Sequence, residues 1–152
     1  MKAAVKFILL FILAFSLGAC ATGQKFLEYK AQIPESNPEL GRIYFYRTSS
    51  LGAALRPKVV LNSEEVGQAV AKGFFYVDRA PGDYVVVTSA EVERKASFVL
   101  EKGQTRYIRF GVGLGFFVGH IYPELADEQV GLSEINDCKF TGQANQAEGE
   151  KK

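Results

Sequence analysis

The sequence contains no tryptophan, a single histidine and only two cysteines, Cys20 and Cys138, which stand far apart. One imidazole and two distant thiols cannot close a four-ligand zinc site without carboxylates, and no spacing resembles a zinc motif, so we expect no metal and no cofactor. An excess of one charge is also lacking, because 18 basic residues stand against 17 acidic ones. This balance supplies no long-range field for a polyanion and predicts that the protein does not bind nucleic acid.

The N-terminal segment has the order of an export signal, but its hydrophobic run is too short to cross a bilayer. Lys2 and Lys6 form a positively charged start, and the apolar run from Phe7 to Phe15 follows. These nine residues are far fewer than the roughly 20 that a membrane-spanning helix requires. We therefore predict a cleaved signal peptide at residues 1–19.

The signal ends in Leu17, Gly18, Ala19 and Cys20, a tetrad that resembles the bacterial lipobox. By this resemblance, small residues before the cysteine admit the extended chain to the signal peptidase, and the Cys20 thiol carries a diacylglyceryl thioether. Each buried methylene of an acyl chain such as palmitate contributes about 0.8 kcal/mol, so two or three chains anchor a protein firmly. Two alternatives are an ordinary signal peptidase site, which leaves Cys20 as an incidental thiol, and an uncleaved core helix.

The residue after the cysteine is Ala21 rather than Asp. In the lipoproteins that the tetrad resembles, this choice implies an outer-membrane location facing the periplasm when the host has two membranes. In a host with one membrane, the same lipid implies the outer face of the plasma membrane. The lipid itself is the predicted contact with the membrane.

Residues 20–40 read as a lipidated cysteine followed by a tether. Pro34 and Pro38 lie in a polar stretch that disfavours helix and packs poorly. Three apolar side chains, Phe26, Leu27 and Tyr29, provide an alternative, in which part of the segment docks on the domain or on the membrane.

From Gly41 onward, short apolar runs recur at intervals of about 8 to 12 residues, a spacing typical of an antiparallel β sandwich or barrel. We predict an all-β domain over residues 41–140, a small antiparallel β sandwich of seven to eight strands. A short C-terminal helix is expected near Asp127 to Cys138, with Asp127 as its cap. The polar tail, residues 141–152, is expected to be disordered. The predicted strands are 41–47, 58–61, 66–70, 74–77, 84–89, 91–100, 105–110 and 116–122.

Two hairpins are predicted from their turn residues. Asn62 separates strands 58–61 and 66–70 and begins a turn by bonding to its own backbone. Pro81 and Gly82 separate strands 74–77 and 84–89 and suit the central positions of a type II turn, which requires positive φ at the glycine.

These turn segments, Val60 to Gly67 and Ala80 to Val85, resemble those of PEGA-type domains, which are small bacterial β-sandwich modules. Ser63 stands where glycine is common in such domains. The stretch from Gly41 to about Phe140 is also similar to an uncharacterised family of small bacterial lipoproteins, a domain of unknown function. The resemblance implies a fold and an envelope location and brings no catalytic residues with it.

The glycine-rich run from Gly111 to Gly119 does not have the G-x-G-x-x-G spacing of a nucleotide loop. It is typical of a strand whose glycines permit close backbone contacts. The alternative is an exposed apolar tip for a membrane or a partner, formed by Leu114, Phe116 and Phe117.

Catalytic chemistry has little support in the sequence, and we predict no catalytic residue. His120 has no serine, cysteine or carboxylate at motif spacing. Glu91 and Glu93 lie two apart on one strand face, but Lys95 beside them is typical of a solvated face. Cys138 is expected to be buried against Leu132 and Ile135, with an intermolecular disulfide as the alternative.

The function predicted from these features is that of a noncatalytic, lipid-anchored envelope lipoprotein that binds a protein or a cell-wall component. The alternative is an enzyme, or an enzyme accessory, that acts on envelope polymers. The two hypotheses differ in whether His120 and acidic side chains converge in one concave pocket.

Overall fold

The computed structural model describes residues 20–88, 94–113 and 120–142. Within these ranges, nine strands form two sheets that pack face to face, which confirms the predicted β sandwich. The strands are β1 (Gly41–Tyr46), β2 (Lys58–Leu61), β3 (Glu64–Gln68), β4 (Gly73–Arg79), β5 (Gly82–Thr88), β6 (Arg94–Leu100), β7 (Thr105–Gly113), β8 (His120–Ala126) and β9 (Lys139–Phe140).

The five-stranded sheet has the order β8-β7-β1-β4-β9, and the four-stranded sheet has the order β3-β2-β5-β6. The sheets are not wholly antiparallel as predicted, because β1 pairs with β7, and β4 with β9, in the parallel direction. Parallel strands cannot be joined by a short turn, so their partners lie far apart in the chain. The sequence pattern predicts pairing only between strands that follow one another.

The inner faces of the two sheets enclose the main hydrophobic core. Ile43 and Phe45 of β1 are fully buried there. Phe45 stacks on Phe75 of β4, with ring centroids 4.8 Å apart. Core residues from the four-stranded sheet are Val59, Leu61, Val66, Val86, Phe98 and Leu100.

The outer face of the five-stranded sheet is also covered, which the sequence pattern does not reveal. Two helices lie in this layer, α1 (Phe26–Tyr29) with a following 3-10 turn (Lys30–Gln32), and α2 (Glu128–Ile135). The cluster beneath them is rich in aromatic residues: Phe26, Tyr44, Tyr46, Phe74, Tyr76, Tyr107, Ile135 and Cys138. Every residue of β1 is therefore buried, although the alternation of its side chains is as predicted.

The segment before β1 packs on the domain rather than extending from it as a tether. The Phe26 side chain is 2% exposed, and its backbone N–H donates to the Cys138 carbonyl at 2.9 Å. Tyr29 stacks on Phe140 with ring centroids 4.0 Å apart. Leu27 is 66% exposed. Phe26 and Tyr29 therefore dock on the domain, as the alternative to a free tether predicts, because the outer face of the sheet offers them an apolar surface.

The first predicted hairpin is present, with β2 and β3 antiparallel and Asn62 and Ser63 between them. Both turn residues have positive φ, 44° and 74°. The Asn62 side chain does not bond to its own turn as predicted. It accepts from the Val85 N–H at 2.8 Å and donates to the Asp83 carbonyl at 2.9 Å, so it joins the turn to β5.

The second predicted hairpin is wrong, because β4 lies in the five-stranded sheet and β5 in the four-stranded sheet. The connection at Pro81 carries the chain from one sheet to the other, and Gly82 is not among the residues with positive φ, so no type II turn forms. Tyr84 closes this corner by donating its hydroxyl to the Ala80 carbonyl at 2.8 Å. A Pro-Gly pair marks a change of direction but does not determine which sheet receives the next strand.

Helix α2 lies within the predicted range, and Asp127 precedes it without a side-chain capping hydrogen bond. The last long strand, β8, is described from His120 to Ala126, so it continues beyond the predicted end at residue 122, and residues 116–119 of the predicted strand lie outside the described residues. The predicted apolar tip, Leu114, Phe116 and Phe117, lies outside the described residues.

Candidate functional site

The predicted lipidation site lies at the surface of the domain. Cys20 is exposed and forms an isolated parallel bridge with Ala71, and the Ala21 N–H donates to the Ala71 carbonyl at 3.0 Å. Beside Cys20 is a depression of about 220 Å³, lined in part by Arg56 and Phe140. Because the chain joins the fold directly after Cys20, a group attached to its sulfur would leave from the domain surface. The predicted recognition residues Leu17, Gly18 and Ala19 lie outside the described residues.

A buried arginine, which the sequence analysis missed, holds the loop beside this end of the domain. Arg47 follows β1 and is fully buried. Burial lowers the pKa of its guanidinium, and none of the described carboxylates forms a salt bridge with it. It donates instead to four backbone carbonyls, those of Leu51, Gly52, Leu55 and Ala69. An arginine at a strand end gives no sequence signal for this role, because the acceptors are main-chain atoms.

The larger concavity, which we call the Tyr122 cleft, lies between β6 and β8 and has a volume of about 510 Å³. Both strands are the last in their sheets, so the cleft opens at one side of the sandwich. Its described lining consists of Arg94, Lys95, Gly113, His120, Tyr122, Pro123 and Glu124.

The charged side chains that line the Tyr122 cleft differ in whether they form a salt bridge. Arg94 and Lys95 are exposed and form no salt bridge within the described part of the chain. Glu124, in contrast, accepts from Arg109 at 3.0 Å, and Arg109 also donates to Glu134 at 3.0 Å. The hydrogen bond to Glu124 is the main cause of a raised pKa at Arg109. Among the described residues, the one acid that lines the cleft with these two cations is therefore already paired with Arg109.

The position of the Tyr122 ring depends on glycine in the neighbouring strand. Gly111 of β7 is directly opposite Tyr122, and a Cβ on Gly111 would lie 2.6 Å from Tyr122 Cζ. A Cβ on Gly113 would lie 3.5 Å from Tyr122 Cε1. At Gly111, the predicted role of the glycine-rich run in close contacts is thus confirmed.

His120 lies in the Tyr122 cleft, in the same lining as Glu124, so one imidazole and one carboxylate do share a concavity. That carboxylate is held by Arg109, and the described lining contains no serine or cysteine. Glu91 and Glu93 lie outside the described residues. Among those that are described, no group of three or more His, Cys, Asp or Glu residues is placed to hold a metal ion. The arrangement can bind an anion.

Cys138 is fully buried in the outer aromatic cluster, as predicted, and Ile135 belongs to the same cluster. Leu132 does not, since it is 43% exposed. Burial raises the pKa of the Cys138 thiol to about 12.

The fold and these two regions define a small two-sheet β domain with a helical layer on one face. No helix in residues 20–88, 94–113 or 120–142 has the length and apolar character needed to cross a membrane. Residues 37–120, more than half of the chain, match the family described as "Protein of unknown function (DUF2846)", and the chain belongs to that family. It is also similar to a Haemophilus influenzae protein described as "Uncharacterized protein". The two are 29% identical over 133 residues, which cover 81% of this chain and 76% of the relative.

Proposed function

We propose that the protein is a noncatalytic lipoprotein, anchored in the bacterial envelope through Cys20, whose PEGA-like β domain binds a protein or a cell-wall component. The main support is the tetrad Leu17 to Cys20 at the end of a short hydrophobic run. The exposure of Cys20 is compatible with it, because acyl chains on this sulfur can enter a bilayer without disturbing the core. Ala21 after the cysteine favours the outer membrane, facing the periplasm, in a host with two membranes.

The docked N-terminal segment has a consequence for this proposal. Because Ala21 bonds to Ala71 and Phe26 is buried, little free chain separates the sulfur from the domain. An anchored domain would therefore rest close to the lipid headgroups, with the Cys20 end toward them.

The experiment compares Cys20→Ser with Cys138→Ala, a matched control at the other cysteine. Both are produced in cells that receive labelled palmitate, and the cells are then fractionated. Wild type and Cys138→Ala should carry the label and partition with membranes, whereas Cys20→Ser should carry none because it lacks the sulfur that forms the thioether. Equal labelling of Cys20→Ser and wild type would contradict the anchor.

The alternative function, an enzyme or enzyme accessory that acts on envelope polymers, has one structural observation in its favour, the placement of His120 in the Tyr122 cleft. An enzyme of this kind would release soluble fragments from purified peptidoglycan, and His120→Ala would slow the release. We expect no release by either protein, since the only described acid of the cleft is held by Arg109. Fragment release that depends on His120 would favour the enzyme.

A further inference from the structure

We propose that the Tyr122 cleft is a binding site for a carbohydrate that carries a carboxylate. The site rests on the proposed binding function and specifies its ligand, but it does not depend on the lipid anchor. Charge, an aromatic surface and strand edges meet in this cleft, and each selects for a part of such a ligand.

The charge in the cleft favours an anion. Arg94 and Lys95 stand on β6 without a salt bridge in the described structure, and Glu124 is already bound by Arg109. The fork of an arginine guanidinium can by itself donate to both oxygens of a carboxylate, and the ammonium of the neighbouring residue adds positive charge to the lining. His120, on the opposite strand, adds a further ring nitrogen that can donate.

The aromatic surface favours a sugar ring rather than a bare anion. Glycines at 111 and 113 lie beneath the Tyr122 ring, and a Cβ on Gly111 would approach three of its atoms within 2.8 Å. The ring is therefore held against the backbone of β7, while Tyr122 itself lines the cleft. A ring fixed in this way offers an apolar surface on which the C–H face of a sugar can pack, with a polar hydroxyl at its rim.

The strand edges and the size of the cleft fit a ligand of one or two sugar rings. β6 and β8 are the last described strands of their sheets, and the backbone edge of such a strand can bond to hydroxyl and amide groups of a ligand, except at the Ile121 and Val99 carbonyls, which already accept from Thr88 and Arg106. A volume of about 510 Å³ is typical of small-ligand sites. Such edges also suit an acidic peptide that adds a strand, but that mode does not use the Tyr122 ring and is tested as the contrary outcome.

The experiment is calorimetric titration of the full mature protein in detergent with the disaccharide of N-acetylglucosamine and N-acetylmuramic acid, which carries one carboxylate. Neutral N,N′-diacetylchitobiose, called chitobiose below, is the matched ligand without the carboxylate. We expect the acidic disaccharide to bind at least about tenfold more tightly, because a charge-assisted hydrogen bond typically contributes that much. An acidic pentapeptide and inorganic phosphate complete the series and should bind more weakly than the acidic disaccharide.

The variants separate the two parts of the site. Arg94→Gln with Lys95→Gln should remove the preference for the acidic disaccharide and leave chitobiose unaffected. Tyr122→Ala should weaken both sugars, and Tyr122→Phe, which keeps the ring, should retain binding and control for folding. Lys25→Gln with Lys30→Gln removes the same charge from exposed positions outside the cleft and should change nothing.

Several results would overturn the site. These are equal affinity for the two disaccharides, binding that survives loss of Arg94 and Lys95, or phosphate binding as tight as that of the acidic sugar. Binding of the peptide without the sugar would show strand addition instead. If Cys20 carries acyl chains but no sugar binds, this inference fails while the anchor stands.

Discussion

Gly131 of α2 lies directly on Tyr107 of β7, so closely that a Cβ on the glycine would be 2.4 Å from the Cβ of the tyrosine. The contact brings the helix axis down onto the five-stranded sheet. Around it, the Tyr46 hydroxyl donates to Glu134 at 2.6 Å, and Arg109 pairs with the same carboxylate. Two features therefore hold the helical layer on the sheet: the close approach that a glycine at position 131 permits, and the hydrogen bonds to Glu134 beside it.

Gly131→Ala should lower the free energy of unfolding although alanine is the better helix former. Helix propensity favours alanine by about 1 kcal/mol, but overpacking against a rigid neighbour typically costs about 1 to 3 kcal/mol or more. At such short approach the steric cost is larger, and we expect a net loss of about 1 kcal/mol or more in urea unfolding.

The matched control is Gly82→Ala, because a Cβ at Gly82 meets nothing within 4 Å and the residue has no positive φ. Its stability should change by less than about 0.5 kcal/mol. The predicted type II turn would make any side chain at Gly82 strained, but that turn does not form and the strain is absent. Equal losses in Gly131→Ala and Gly82→Ala would contradict the close packing of α2.

Arg47→Met should be strongly destabilising, since it leaves four backbone carbonyls, one buried and three partly buried, without their donor. We expect a loss of about 3 kcal/mol or more in the free energy of unfolding. Arg106→Met is the control, because that guanidinium makes a single exposed hydrogen bond to the Val99 carbonyl. A loss as small as that of the control would mean that Arg47 does not hold the loop.

The sequence predicted the strands well and their partners less well. The alternation of Ile43 and Phe45 with Tyr44 and Tyr46 identifies β1, since period two is a local property. The parallel pairing with β7 is nonlocal, and so is the burial of both faces. Phe26, which the sequence places in a tether, covers part of the outer face of β1.

The candidate site divides in the same way. Cys20 was predicted because four adjacent residues carry its signal. The sequence does not predict the Tyr122 cleft, although it contains both His120 and the glycine-rich run. Arg94 and Tyr122 are distant in sequence and line the same cleft because β6 and β8 are the last strands of their respective sheets.

Ser63→Gly should raise stability, because Ser63 has a φ of 74°, a backbone region that disfavours side chains. The strain energy removed from the folded state exceeds the free-energy cost of ordering a glycine, which has more conformational entropy in the unfolded chain. We therefore expect a gain of about 0.5 to 1 kcal/mol in the free energy of unfolding. Ser97→Gly, at an exposed position in β6, should instead cost about 0.5 to 1 kcal/mol. A loss in Ser63→Gly would contradict the turn.

Cys138 should resist alkylation in the folded protein at about pH 8, because burial raises the pKa of its thiol from 9.0 to about 12. Nonreducing electrophoresis should show a monomer. Since the folded pKa lies above the unfolded one, the thiol contributes its full stability below about pH 9, and that contribution is lost as the pH rises toward 12.

The measurement is the rate of reaction with a thiol reagent in the native state and in guanidinium, with Cys138→Ala as the blank. Fast native reaction, or a reducible dimer, would contradict the burial of Cys138.

The proposed lipid anchor at Cys20 is tested most directly by the mass of the mature N-terminal peptide, isolated from membranes of cells that produce the unaltered protein. The proposal predicts a chain that begins at Cys20 and carries the added mass of a diacylglyceryl group. It predicts the same terminus in Cys138→Ala. A mature terminus at any other residue, or an unmodified Cys20 in the membrane fraction, would contradict it.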